Sequence, residues 1–263
     1  MCSEMMNKRT KALFYDIDGT LLSEKTGRVP ESAVQALKEA RRKGHLVFIN
    51  TGRVYAHLGE IKKLVEADGY LCGCGTYILA EGRVMYSYHI PHKSHIDECG
   101  LDGALEASDG IHIHRSLSPI PRVEQLKASL RRSGCLSEYD WEDDCYDYDK
   151  FYLISDENSR PKELFGRLRD MEIIDRGNGE YECVPRGHSK ATAIDLVLKH
   201  YGISLDDAYV FGDSGNDLAM FRYARNCILM GKHDEVLEPY ATFETKDVEE
   251  DGIAYAMKEL GII

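Results

Sequence analysis

Two carboxylates, Asp16 and Asp18, stand one residue apart at the end of the apolar run in ALFYDIDGTLLS. Charges placed where a buried strand ends are costly unless they meet a partner. Other polar groups stop at similar places: Thr51, Gly52 and Arg53 follow HLVFIN, and GDSGND, Gly212 to Asp217, follows AYVF. Lys190 opens a helical pattern behind the glycine-containing PRGHS. In open parallel sheets, ligands bind at the carboxyl ends of strands. Acidic side chains for a hard cation, hydroxyl and amide donors for an anion, and a fixed lysine charge are together what phosphoryl transfer requires.

The elements that must hold these residues can be read from periodicity. KALFYD and HLVFIN are short apolar runs, and between them PESAVQALKEARRKG sets Val34, Leu37 and Ala40 on one helical face, a βαβ unit. A helix is expected from about Val54 to Ala67, then a strand at GYLCG and a hairpin across Glu81, Gly82 and Arg83. The texture then changes. Helices at Ser94 to Ala107, Arg122 to Ser133 and Pro161 to Asp170 mix with strand-like GIHIHR and KFYLIS. Alternation resumes with SKATAIDLVLKHYG, AYVFGD, NDLAMFRYA and CILMG, and a last helix at about Ile253 to Leu260. The expected fold class is α/β, a Rossmann-like doubly wound parallel-sheet core interrupted by an α+β cap. The boundaries fall at residues 1–82 and 185–263 for the discontinuous core and 83–184 for the cap.

Composition narrows the partners. With 45 acidic and 33 basic side chains the formal net charge of the 263 residues is -12, which argues against nucleic acid and anionic membranes and for small molecules. The N-terminal MCSEMMNKRTK lacks an apolar signal core, and no apolar run reaches bilayer length, so the expected location is cytoplasmic. The eight cysteines follow no framework spacing and read as thiols, the Cys72 and Cys74 pair included. The acidic run Ser137 to Lys150 lacks the glycine and glutamate of a calcium loop and reads as a solvated strand edge or loop. His89, His92, His95 and Cys99 leave a metal site incomplete; His112, His114 and Arg115 would suit a second anionic or hydroxylated substrate group, or face solvent.

In order along nearly the whole chain, DIDGTL (Asp16 to Leu21), NTGR (Asn50 to Arg53), SKATAI (Ser189 to Ile194) and GDSGND resemble the four motifs of the haloacid dehalogenase superfamily of phosphohydrolases, in its Cof-type branch with a large α+β cap. The resemblance implies a phosphatase of small phosphomonoesters, sugar phosphates first and nucleotide or cofactor phosphates second, working as a monomer or homodimer. It implies that Asp16 is the nucleophile that forms an aspartyl-phosphate, and that Asp18 is the general acid and then the base. Gly19 and Gly52 let backbone amides approach the phosphate. Thr51 and Lys190 would bind it, Asn216 would contact it or orient Lys190, and Arg53 would contact substrate or pair on the surface. Magnesium (Mg2+) would be held by Asp16, the carbonyl of Asp18, Asp213 and, in support, Asp217.

The chain departs from the branch in three places. Cys74-Gly75-Thr76 replaces the common Asn-Gly-Ala, Ala191 stands where glycine is frequent, and Lys232 follows Gly231 where asparagine is common. The first touches substrate preference, the second is a small change that a helix welcomes, and the third would alter charge at the mouth of the site. Two alternatives share the same residues: a sugar phosphomutase, which activation by a sugar bisphosphate would reveal, and a catalytically idle ligand-binding regulator, against which the four charges Asp16, Asp18, Lys190 and Asp213 speak.

Overall fold

The computed structural model of the chain describes residues 9–91, 102–140, 147–157 and 165–263. The first apolar runs become β1 (Ala12–Tyr15) and β2 (Leu46–Asn50), joined by α1 (Glu31–Arg42). Next come α2 (Ile61–Leu64), β3 (Gly69–Cys72) and the hairpin strands β4 (Tyr77–Ala80) and β5 (Arg83–Ser87). The middle of the chain carries β6 (Gly103–Ala107), β7 (Gly110–His114), α3 (Pro121–Ser133), β8 (Leu136–Tyr139), β9 (Lys150–Ile154), β10 (Met171–Asp175) and β11 (Glu180–Pro185). The last part returns to alternation: α4 (Lys190–Tyr201), β12 (Ala208–Gly212), α5 (Leu218–Tyr223), β13 (Asn226–Leu229), β14 (Phe243–Glu244) and α6 (Gly252–Glu259). The fold class is α/β, a parallel Rossmann-like core interrupted in sequence by an α+β segment.

The chain divides into two compact units. One comprises Met1–Asn50, Lys63–Gly69 and Ile194–Ile263; the other comprises Thr51–Lys62 and Tyr70–Ala193. In the first, the strands lie in the order β14, β13, β12, β1, β2, all parallel. The inner strand β1 is wholly buried and apolar, and its neighbours β2 and β12 nearly so, whereas β14 at the edge carries the exposed Glu244. Phe14 stacks on Phe48 and Tyr15 on Phe211 with ring centroids 5.1 and 4.4 Å apart. Helix α1 buries Ala33, Ala36, Leu37 and Ala40 and packs beside α6. Because β1 and β12 are parallel neighbours with Tyr15 opposite Phe211, the residues that follow them, Asp16 and Asp213, emerge at the same end of the sheet.

In the second unit β4 and β5 form the expected hairpin, and a six-stranded sheet runs in the order β10, β11, β9, β6, β7, β8. One of its faces buries Leu105, Phe151, Leu153 and Cys183. The other buries Ala104, Ile111 and Ile113 with Val123 and Leu130 of α3 and with Val54.

Several expectations need correction. The helix expected from Val54 to Ala67 is two short pieces, a 3-10 turn at Tyr55–Leu58 and α2, because Gly59 takes φ 51 and ψ -128 between them. Of Ser94 to Ala107, residues 94–101 lie outside the described residues, and Gly103–Ala107 is the strand β6, paired with both β7 and β9. Of Pro161 to Asp170, the described part beyond Phe165 is turn. The acidic run is not solvated at its described ends, where Tyr139, Tyr148, Asp149 and Lys150 are buried. His112 and His114 do not face solvent either; they are 5% and 3% exposed. His92, His95 and Cys99 lie outside the described residues.

Candidate active site

The turn after β1 is tight. The amides of Leu21 and Leu22 both donate to the Ile17 carbonyl, and the Gly19 amide donates to Leu22. Gly19 has φ +82, and a β-carbon there would lie 2.6 Å from Asp213 Cγ, so both conformation and space demand glycine. The turn holds Asp16 buried at 3% exposure, its amide bonded to the Phe211 carbonyl at 3.1 Å, and leaves Asp18 partly exposed.

The turn after β12 supplies the facing groups. Asp217 is fully buried, and its Oδ2 accepts from the amides of Asp213 at 2.9 Å and Ser214 at 3.1 Å. Asp213 Oδ1 accepts from the Thr20 hydroxyl at 2.7 Å. Asn216 Oδ1 accepts from the Ser214 hydroxyl at 3.0 Å, and Asp234 Oδ2 accepts from the Gly215 amide at 2.7 Å. The outcome is a gathering of carboxylates: one oxygen each of Asp16, Asp213 and Asp217 lie within 4.8 Å of one another. Three hard oxygen donors at that spacing fit a hard divalent cation and are mutually repulsive without one. Asp18, expected to contribute its carbonyl, is not among these side chains.

The other expected residues belong to the second unit. Thr51 is buried; its amide donates to Leu71 at 2.8 Å and its Oγ1 accepts from the Arg53 amide at 3.1 Å, which leaves the hydroxyl proton for an anion. Arg53 Nη1 donates to the His57 carbonyl at 3.3 Å. Lys190, 1% exposed, opens α4 behind a reciprocal cap: the Thr192 amide donates to Ser189 Oγ at 3.1 Å and the Ser189 amide to Thr192 Oγ1 at 2.9 Å. A β-carbon on Gly75, at φ +92, would sit 3.1 Å from the Ser189 carbonyl carbon, so this glycine lets its loop brace the start of α4.

Sequence reasoning gave no role to Thr20 or Asp234, although Thr20 sits inside the first motif. It also passed over Lys150, Glu106 and Glu182. Lys150 is buried and paired with Glu106, and its ammonium lies 3.6 Å from Glu182. Cys74, at φ 54, donates its thiol to Glu182 at 3.5 Å, and burial pushes that thiol well up, so it stays protonated. Lys232, the third departure, is exposed and paired with Glu24 at 2.9 Å.

Residues 13–257 match the family of haloacid dehalogenase-like hydrolases. A solved structure of a sugar phosphatase of haloacid dehalogenase subclass IIB is 30% identical, with 97% of this chain and all of that one covered at a TM-score of 0.81. In Bacillus subtilis the protein named "Putative phosphatase YkrA" is 29% identical over 97% of this chain and 99% of its own length. A Streptococcus pyogenes protein named "Putative bifunctional phosphatase/peptidyl-prolyl cis-trans isomerase" is 32% identical over 97% of this chain, which spans 55% of that protein. With the four motifs in order and the carboxylates of the first and last brought together, the chain belongs to the haloacid dehalogenase-like hydrolases, subclass IIB.

Proposed function

We propose that this protein is a magnesium-dependent phosphatase of small phosphomonoesters, with sugar phosphates favoured, and that it works through an aspartyl-phosphate. The observation that carries the reading is the convergence of Asp16, Asp213 and Asp217 beside the Gly19 turn. Asp16, Asp213 and Asp217, with the Asp18 carbonyl, would hold Mg2+, which when bound supplies positive charge to the phosphoryl oxygens. Asp16 attacks phosphorus as its ester P–O bond breaks, and Asp18, as the acid, gives its proton to the departing alkoxide. Asp18 then takes a proton from the water that attacks the phosphoryl group, which releases orthophosphate and restores Asp16. Thr51 and Lys190 bind the phosphate, Asn216 contacts it or orients Lys190, Gly19 and Gly52 leave room for amide contacts, and Arg53 contacts substrate or pairs on the surface. Residues 83–184 would act as the specificity domain of a core made by 1–82 and 185–263.

The test is phosphate release from a panel of sugar, nucleotide, cofactor and aryl phosphates, with magnesium and with chelator. Turnover should need the metal and fall by about 10⁴-fold or more in Asp16→Asn at an unchanged melting temperature. Release that persists in chelator, or in Asp16→Asn, would overturn the reading.

A further inference from the structure

One carboxylate outside the proposed machinery faces the phosphate-binding loop. Glu182, on β11, is 7% exposed, and a β-carbon on Gly52 would lie 2.8 Å from its Oε1. Its other neighbours are the Cys74 thiol and the Lys150 ammonium, the latter shared with Glu106. The pairing of β9 with β6 sets Lys150 directly opposite Glu106, and β11 flanks β9 on its other edge, so three strands deliver the three charges to one sheet face. Glu106 and Glu182 share one ammonium, and burial pushes the Glu106 carboxyl up, so Glu182 is the carboxylate of the pair held ionised, adjacent to Gly52 and within the field of Lys190.

Burial alone would push the Glu182 carboxyl up, but Lys150, then Arg176 and Lys190, outweigh it and hold the group below the usual carboxylate range. Burial would likewise push Lys150 down, and Glu106 and Glu182 hold it well up. Glu182 is therefore an ionised, acceptor-only group. A substrate anchored by its phosphate at Thr51 and Gly52 brings its leaving group near this carboxylate. A hydroxyl or ammonium there gains a charge-assisted hydrogen bond, and a second phosphate or carboxylate meets a like charge in a water-poor site. Cys74, where the branch commonly has asparagine, already supplies one donor to Glu182, which ties this departure of the chain to the same carboxylate.

We infer that Glu182 is a specificity-determining residue that selects phosphomonoesters with hydroxyl or ammonium donors on the leaving group and rejects those with a second anionic group nearby. The inference rests on the phosphatase reading above.

The experiment compares kcat/KM of the wild type, Glu182→Gln and Glu182→Asp on glucose 6-phosphate, fructose 1,6-bisphosphate and p-nitrophenyl phosphate. In Glu182→Gln the ratio of glucose 6-phosphate to aryl phosphate should fall at least about 10-fold, mainly through KM, and the discrimination against the bisphosphate should narrow by a similar factor. Should Glu182→Gln fold poorly by melting temperature, Glu182→Asp, which keeps the charge, should retain the discrimination against the bisphosphate. Ratios that stay at wild-type values in Glu182→Gln, or that fall equally in Glu182→Asp, overturn the inference alone. A wild type that releases phosphate from none of the three overturns the phosphatase reading first and the inference with it.

Discussion

The molecule contains two groups of buried charge built on opposite rules. At the ends of β1 and β12, Asp16, Asp213 and Asp217 bring three carboxylates together, steadied by backbone amides and the Thr20 hydroxyl. On the sheet face of β6, β9 and β11, Glu106 and Glu182 close on Lys150, a cation covalently part of the chain. The first group gathers carboxylates at a spacing that fits a hard cation, and the second includes a cation that is part of the chain. Like charges held close together cost stability, whereas a buried ion pair is costly only when one of its partners is removed.

The contrast predicts opposite outcomes for removing one charge. Asp213→Asn should lower turnover by at least about 10²-fold and raise the magnesium needed, because one hard donor is lost. In chelator the same substitution should leave the melting temperature equal or raise it by a few degrees, since like charges no longer crowd and Asn keeps an acceptor for Thr20. A clear drop in melting temperature would show that Asp213 is structural and break the comparison. Lys150→Met should do the reverse. It leaves two buried carboxylates without their ammonium, at a cost of about 3–5 kcal/mol, seen as a fall of roughly 10 °C in the unfolding midpoint. An unchanged midpoint would mean that the two glutamates simply neutralise, and the second group would lose its distinction from the first.

The two groups also differ in how much of them could be read in advance. Asp16, Asp18 and GDSGND were visible because the chemistry sits in short contiguous motifs at the ends of apolar strands, and the parallel pairing of β1 with β12 does the rest. Lys150, Glu106 and Glu182 lie on three separate strands with no motif around them, and their meeting depends on the register of β6, β9 and β11. The run up to Lys150 is acidic enough to read as solvated, yet Tyr148, Asp149 and Lys150 are buried. Helical spacing between Val54 and Ala67 misled for a local reason, since Gly59 turns the chain out of helix. His112 and His114 alternate as a strand should, but alternation alone does not say that the sheet is covered on both faces.

Next to Lys150 lies a pair that stands between the two designs, and it gives the smallest of these effects. Asp149 is fully buried beside the half-exposed His89, whose Nδ1 lies 2.7 Å from Oδ1. Burial pushes the Asp149 carboxyl up to about 6, with the His89 hydrogen bond drawing it back in part. An unfolded aspartate ionises near 3.9, so between about pH 4 and pH 6 the folded chain holds a proton that the unfolded chain has released. Stability from this group is therefore fully present below about pH 4 and is lost as pH rises through about 6, by roughly 1–3 kcal/mol. Asp149→Asn keeps the acceptor for His89 and removes the proton, so the difference in unfolding free energy between variant and wild type should widen in favour of the variant across this window. Denaturant unfolding of both proteins at intervals from pH 4 to pH 6.5 measures that difference. A constant difference would mean that His89 holds Asp149 ionised throughout, which would move the pair into the class of Lys150 and its glutamates.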